Sequence, residues 1–255
     1  MTEVTTTIAT QDQKAAPAQS RRQGAVVHAN GVKRGEHRLP PLESGDRLTR
    51  AEFERRYRAR PDLKKAELIE RVVYVASPVR IQQHGEPHSR IVTWIGVYVA
   101  QTPGLRFADN GTYRMDTDNE PQPDVSVWID PALGGGAFVN DEDYLEGTPE
   151  LLIEVAASSA AYDLHEKLHA YRRNGIQEYL VLQVYEQATT WYRWQEGEYQ
   201  EIPPDAEGIL RSARFPGLWF DPAKFWAGDL AGVLAVLQAG LAIEAHQAFR
   251  KELEG

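Results

Sequence analysis

The alternation of apolar and polar positions separates a patternless lead-in from a long mixed α/β region. Residues 1 to about 45 show no apolar periodicity and are rich in Thr, Gln, Ala, Arg, Gly and Pro. They end in Leu39-Pro40-Pro41-Leu42 and read as a disordered polar tail. Over 49–58 the spacing predicts a short helix, and over 67–77 the β-branched and aromatic residues predict paired strands. Ile91, Ile95 and Tyr98 recur at helical spacing, which predicts a helix over 87–100 with Gly104 just beyond it. Strands are predicted over 105–108, 112–115 and 124–129, and a flexible loop over 131–149 that includes Gly134-Gly135-Gly136. The run 150–156 is continuously apolar apart from its glutamates, as in a strand covered on both faces.

A helix over 160–173 is predicted next, with Ser158 and Ser159 as candidate N-caps and Gly175 as its stop. Strands over 178–182, 189–194 and 199–202 alternate like a meander, and 229–252 is helical in pattern. The expected organisation is a tail (1–45), a mixed α/β domain with one central sheet flanked by helices (46–228), and a C-terminal helix (229–255). The apolar stripe of that last helix would serve packing or a homodimer. Its longest apolar stretch, 230–245, is interrupted by Gln238 and Glu244. It falls short of the ~20 apolar residues that a membrane span needs. The first residues have neither a basic nor an apolar leader character, so the cytoplasm is the expected location.

Composition narrows the chemistry. The chain has 255 residues, 28 Lys+Arg against 37 Asp+Glu, a net charge of −9 and no cysteine. Disulfides, thiolate nucleophiles and Cys-ligated metals are therefore excluded, and any metal must bind oxygen or imidazole. Residues 1–50 hold 8 basic and 5 acidic residues, leaving 20 basic and 32 acidic in the remaining 205, a net of −12. Such a balance argues against holding nucleic acid by bulk charge, which needs cations to displace counterions from phosphates.

Three residues carry the candidate chemistry. Glu154 interrupts the apolar Leu151-Leu152-Ile153-Glu154-Val155. Buried there, it asks for a cation or strong donors; on an edge strand it would face water or pair with an arginine. Asp124 follows Gln122-Pro123 and would share a strand face with Ser126 and Trp128, although Asp after Pro also simply starts strands. Lys167 falls beside Leu164, Leu168 and Tyr171 on the apolar flank of its helix, with Asp163 at the margin. Its ammonium would point toward the sheet, or snorkel to solvent as helix-flank lysines often do. Two carboxylates on neighbouring strands with a lysine at their rim suit a divalent metal and in-line attack of water on a phosphodiester. Oxygen-only ligation favours Mg²⁺ or Mn²⁺.

Gln122-Pro123-Asp124-Val125, Leu152-Ile153-Glu154-Val155 with Ser158, Asp163-Leu-His-Glu-Lys167-Leu-His-Ala-Tyr171 and Gly175-Ile-Gln-Glu178-Tyr179 together resemble the Uma-type putative restriction endonucleases of the PD-(D/E)XK nuclease superfamily. Glu67-Leu-Ile, Ser77-Pro78, His88 and Phe215-Pro-Gly217-Leu-Trp219 fit the same pattern, so the resemblance spans about 50–228. It implies a restriction-endonuclease-like core, Mg²⁺-dependent DNA cleavage, Asp124 and Glu154 as metal ligands, Lys167 as the water-orienting or transition-state-stabilising cation, and Glu67 as an additional acid. The chain departs from the superfamily by having Ala156 two residues after the second acid, where many members have the lysine. It also has Arg71 in place of a usual turn glycine and Gln183 in place of a frequent aspartate.

Two other readings compete. A nuclease-fold protein without cleavage would act as a binding module. His165-Glu166-Lys167-Leu168-His169 matches H-E-x-x-H, the zinc peptidase signature, but puts both histidines on the flank opposite Lys167. His84 and His88 could form a loop pair near the site but read more readily as helix-entry or structural residues, and Trp191, Tyr192 and Trp194 could stack bases but read more readily as core or a protein interface. Arg80, Arg90, Arg172, Arg173, Arg21-Arg22 and Lys33-Arg34 are the candidate phosphate contacts, each by default solvated surface charge.

Overall fold

Two runs that are buried at every position, 125–129 and 151–156, set the architecture. A strand with no solvent face must lie inside a sheet that is covered on both sides. The computed structural model describes residues 39–157 and 162–254. Residues 1–38 of the expected tail and the candidate caps Ser158 and Ser159 lie outside the described residues, whereas the end of that tail is packed, with Leu42 buried beside Phe53 and the Gly45 N–H bonding Val73 O at 2.8 Å.

Helix α1 (Arg50–Arg58) begins at Thr49, whose hydroxyl accepts a bond from the Glu52 N–H at 3.4 Å. Strands β1 (Ala66–Ile69) and β2 (Val72–Val75) form an antiparallel hairpin. Its turn residues Glu70 and Arg71 have φ of 51° and 65°. The left-handed backbone is what favours glycine here, and Arg71 adopts it at a cost of roughly 1–2 kcal/mol. A π-helical turn (Ile81–Gly85) leads into α2 (Glu86–Ala100), followed by β3 (Leu105–Asp109) and β4 (Val125–Ile129). A hairpin of β5 (Ala137–Val139) and β6 (Leu145–Gly147) precedes β7 (Leu151–Ala156). A second π-helical turn (Asp163–Lys167) continues into α3 (Leu168–Arg173).

Strands β8 (Glu178–Gln183), β9 (Ala188–Gln195) and β10 (Glu198–Glu201) make the meander. The short strands β11 (Leu210–Arg211) and β12 (Trp219–Phe220) pair with each other. Helices α4 (Pro222–Trp226), α5 (Leu230–Leu241) and α6 (Glu244–Glu254) close the chain.

The six-stranded central sheet runs β10-β9-β8-β7-β4-β3. Only β7 and β8 are parallel within it, and the segment carrying α3 supplies the crossover that parallel pairing requires. One face packs Ile91, Trp94, Ile95 and Tyr98 of α2, with Val233, Leu237, Phe249 and Leu253 of α5 and α6, against Val125, Val127, Ile153 and Leu180. The other face gathers Trp128, Leu152, Ala156, Tyr171, Tyr179 and Val181. The apolar stripe of the C-terminal segment is therefore buried in the first cluster.

Four other expectations change. Residues 112–115 form no strand: Tyr113 makes a single bridge to Leu145, while its N–H bonds Pro121 O at 2.9 Å. A segment that bonds a different neighbour at each residue cannot extend a ladder. The loop 131–149 contains the β5–β6 hairpin, and its glycines are not slack. A Cβ on Gly135 would overlap the Ile129 carbonyl, and one on Gly136 would meet Thr148 O at 2.8 Å, so close backbone approach demands them. The C-terminal helix is two helices, bent by 71° between α5 and α6. The short helix α4 went unpredicted. Among the described residues no single helix is long and apolar enough to cross a membrane.

Candidate active site

The pleat of β7 places Glu154 on the same face as Leu152 and Ala156, with only 3% of it exposed. β4 runs antiparallel beside it, with Val125 opposite Ile153. Continuing that register by one residue sets Asp124, which lies just before β4, opposite Glu154. The Asp124 carboxylate takes over where the ladder stops, its Oδ2 accepting the Val155 N–H at 2.8 Å. Glu67 arrives from β1, its Oε1 accepting the N–H of Gln122 at 2.7 Å, which ties the hairpin to the Gln122-Pro123-Asp124 segment.

Lys167, 2% exposed, ends the π-helical turn before α3 and reaches inward rather than to solvent. Its Nζ lies 2.8 Å from Glu154 Oε1, 3.0 Å from Glu67 Oε1 and 3.4 Å from Asp163 Oδ1. Tyr171, one turn further along, donates to the same Glu154 Oε1 at 3.0 Å. Asp124, Glu154, Lys167 and Glu67 thus line one cleft of about 840 Å³. Single π-helical turns recur where a side chain must be re-aimed at a functional site, and this one carries both Asp163 and Lys167.

The same cleft contains residues that sequence reasoning passed over or ranked lower. Lys65 Nζ is 3.3 Å from Asp124 Oδ1 and 2.9 Å from Asn110 Oδ1. His84 Nε2 is 3.3 Å from Asp124 Oδ1 as well, and the His84 and His88 rings stack at 5.3 Å. His88 Nε2 lies 3.0 Å from Asp109 Oδ1. These histidines, for which the sequence favours a helix-entry or structural role over a loop pair near the site, line the wall on the Asp124 side. Lys65 was legible in principle: it stands two residues before Glu67, hence on the same face of an extended segment. The histidine contacts with Asp124 have no signal in sequence spacing, because they join segments 40 residues apart.

Burial pushes the Glu154 carboxyl up to about 8, against the pull of Lys167 and with the help of Asp163, Asp124 and Glu67. Burial opposes the charge on Asp124 too, yet His84, Lys65 and the Val155 N–H hold it well below the ordinary carboxylate range. Desolvation works against the Lys167 ammonium, but Glu154, Glu67 and Asp163 outweigh it and keep Lys167 protonated. Four carboxylates, Glu67, Asp124, Glu154 and Asp163, face Lys65, Lys167 and, at the mouth, Arg80, an excess of one negative charge with both histidines neutral. Burial and the neighbouring carboxylates both work against the charge on Glu154, and a divalent cation would offset them.

The donor set suits such an ion. Asp124 and Glu154 offer carboxylate oxygens on one sheet face, the ligand type of Mg²⁺ and Mn²⁺. Among the described residues no three His, Asp or Glu side chains form a preformed metal cage. The H-E-x-x-H residues do not contribute: His165, Glu166 and His169 are all exposed on the solvent flank. Of the candidate phosphate contacts, Arg172 pairs with Glu198 at 2.7 Å, Arg173 with Glu70, and Arg90 with the Phe225 carbonyl at 2.9 Å. Arg80 lines the cleft mouth.

A family profile described as Uma2, putative restriction endonuclease, matches residues 50–223. No curated protein matches the chain. Solved structures similar to it include a putative nuclease belonging to DUF820 from Anabaena variabilis ATCC 29413. The TM-score to it is 0.47 at 17% identity, over 64% of this chain and 90% of that one.

Proposed function

We propose a specific chemistry from one premise: this chain belongs to the Uma2 family of putative restriction endonucleases. The reading is a Mg²⁺- or Mn²⁺-dependent endonuclease that hydrolyses DNA phosphodiester bonds, with Asp124 and Glu154 as metal ligands and Lys167 as the cation beside them. The observation that carries it is the buried cluster in which Lys167 Nζ sits 2.8 Å from Glu154 Oε1, on the sheet face that Asp124 shares. A hard divalent ion held by two carboxylates supplies a Lewis acid and a more acidic water. The chain's own residues supply the rest. Lys167, protonated among three carboxylates, serves as a donor to developing negative charge rather than as a base. Glu67 and Asp163 aim that ammonium, and Tyr171 fixes the Glu154 carboxylate through Oε1. Asp124 is oriented by the Val155 N–H, so both candidate ligands are rigid before substrate arrives.

The test is plasmid cleavage in Mg²⁺ or Mn²⁺ by the purified protein beside Asp124→Ala, Glu154→Ala and His165→Ala. Loss of at least about a hundredfold in the first two, with His165→Ala unchanged, is expected. Folded protein that cuts nothing in either metal would favour a binding module, and loss in His165→Ala alone would overturn the assignment of the site to Asp124 and Glu154.

A further inference from the structure

The mouth of the cleft differs from the rest of the surface. Of the six large apolar side chains that are exposed among the described residues, two line this cleft, Val79 at 69% and Tyr185 at 53%, and a third, Ile81 at 74%, stands two residues from Val79 in the chain. Ile81 opens the π-helical turn that carries His84. Gln83 joins the two sides: its Oε1 accepts bonds from the Tyr185 hydroxyl at 3.0 Å and from Arg80 Nη1 at 3.1 Å. The Tyr185 ring and the Arg80 guanidinium are thus held as one unit, and Arg80 makes no ion pair among the described residues. Many other arginines are already matched to carboxylates, Arg56, Arg114 and Arg211 among them.

We propose that this rim receives unstacked bases, so that the preferred substrate is a single-stranded or locally unpaired stretch of DNA rather than a continuous duplex. The inference rests on the nuclease reading and names the substrate form for that site. A duplex presents phosphates outward and hides its base faces, so a protein that binds it relies on cations displacing counterions. This chain has a net charge of −9, and one uncommitted guanidinium at the rim cannot change that regime. A single strand carries backbone phosphates too, but it adds the face of every base to an aromatic or apolar platform, an attraction that a duplex cannot offer to a surface short of cations. Such a strand is also flexible enough to carry a phosphate down to Lys167 and Glu154, which lie almost wholly beneath the surface.

The experiment measures binding separately from cleavage. Fluorescence anisotropy of the full chain in EDTA compares a labelled 30-nucleotide single strand with its own duplex, for the wild type, Tyr185→Ala, Tyr185→Phe and Ile81→Ser. The single strand is expected to bind at least tenfold more tightly than the duplex. Tyr185→Ala should lose about tenfold on the single strand, as removal of a stacked ring does elsewhere. Tyr185→Phe should keep most of the affinity, since the ring and not the Gln83 bond carries the contact, and Ile81→Ser should weaken binding several-fold. Equal affinity for both forms, or unchanged affinity in Tyr185→Ala and Ile81→Ser, overturns the proposal. So does a dimer in sedimentation that Ile81→Ser dissolves, which would make the rim a self-interface. Because binding is read without metal, failure of the protein to cut DNA leaves this test intact.

Discussion

Two buried glutamates on adjacent strands make the most instructive comparison in the molecule. Glu154 lies in β7 and Glu178 in β8, which pair in parallel, and both are nearly inaccessible to solvent. Glu178 Oε1 accepts the N–H groups of Ala213 and Arg214 at 2.6 and 2.9 Å, and Oε2 accepts the Ser212 hydroxyl at 2.8 Å. It clamps the loop between β11 and β12, in which each partner is already spent. Glu154 is met by an ammonium and a phenol inside an open cleft. One carboxylate is closed by backbone amides and holds structure; the other is balanced by groups that can also face a substrate. Burial alone does not separate them. The identity of the donors does.

The largest expected effect comes from removing the charge that balances Glu154. In Lys167→Met, Glu154, Glu67 and Asp163 lose their shared ammonium, a change that destabilises a buried pair by roughly 3–5 kcal/mol. Urea unfolding checks that figure, and plasmid cleavage should fall at least about a hundredfold. Glu178→Ala is expected to destabilise by about 3 kcal/mol, because it strands two N–H groups and a hydroxyl. Cleavage should be unchanged wherever the variant is folded. A folded Glu178→Ala protein that no longer cuts would erase the distinction between the two sites.

The comparison sharpens with pH. Burial pushes Glu178 up to about 7, against Ser212, Arg214 and Ala213. Its carboxyl in the unfolded chain titrates near 4.5. Because the folded state holds that proton more tightly, stability should fall as pH rises from about 4.5 to 7, by up to about 3 kcal/mol, and level off above. Glu178→Gln keeps an acceptor for both N–H groups but cannot ionise, so its urea midpoint should be flatter across that window. The smallest effect is expected from Tyr171→Phe, which removes one of two donors to Glu154. About 1 kcal/mol of stability and less than tenfold in cleavage are expected.

Much of the core was legible because strands covered on both faces are apolar along nearly their whole length. The nearly unbroken apolar runs 125–129 and 151–156 already put Asp124 and Glu154 at or within strands that a two-sided sheet must bury, and the 100° step of a helix already turns Lys167 toward Leu164 and Tyr171. The departures have local physical causes. Tyr113 failed to extend a strand because its neighbours bond different segments, and Gly135 and Gly136 proved to be sites of close backbone approach. Helices α5 and α6 parted where Ala242 and Ile243 leave the helical ladder.

The order of residues in the chain determined which side chains could be polar inside an apolar sheet, because the pleat and the helical turn convert spacing directly into facing. It also excluded thiolate chemistry outright, since no cysteine is present. Tertiary structure alone decided what each buried charge would meet. His84 and Lys65 reach Asp124 from other segments, 40 and 59 residues away in sequence, and Glu178 found backbone amides where Glu154 found Lys167. Those pairings arise when the hairpin, the sheet and the crossover helix close on one another, and no periodicity along the chain encodes them.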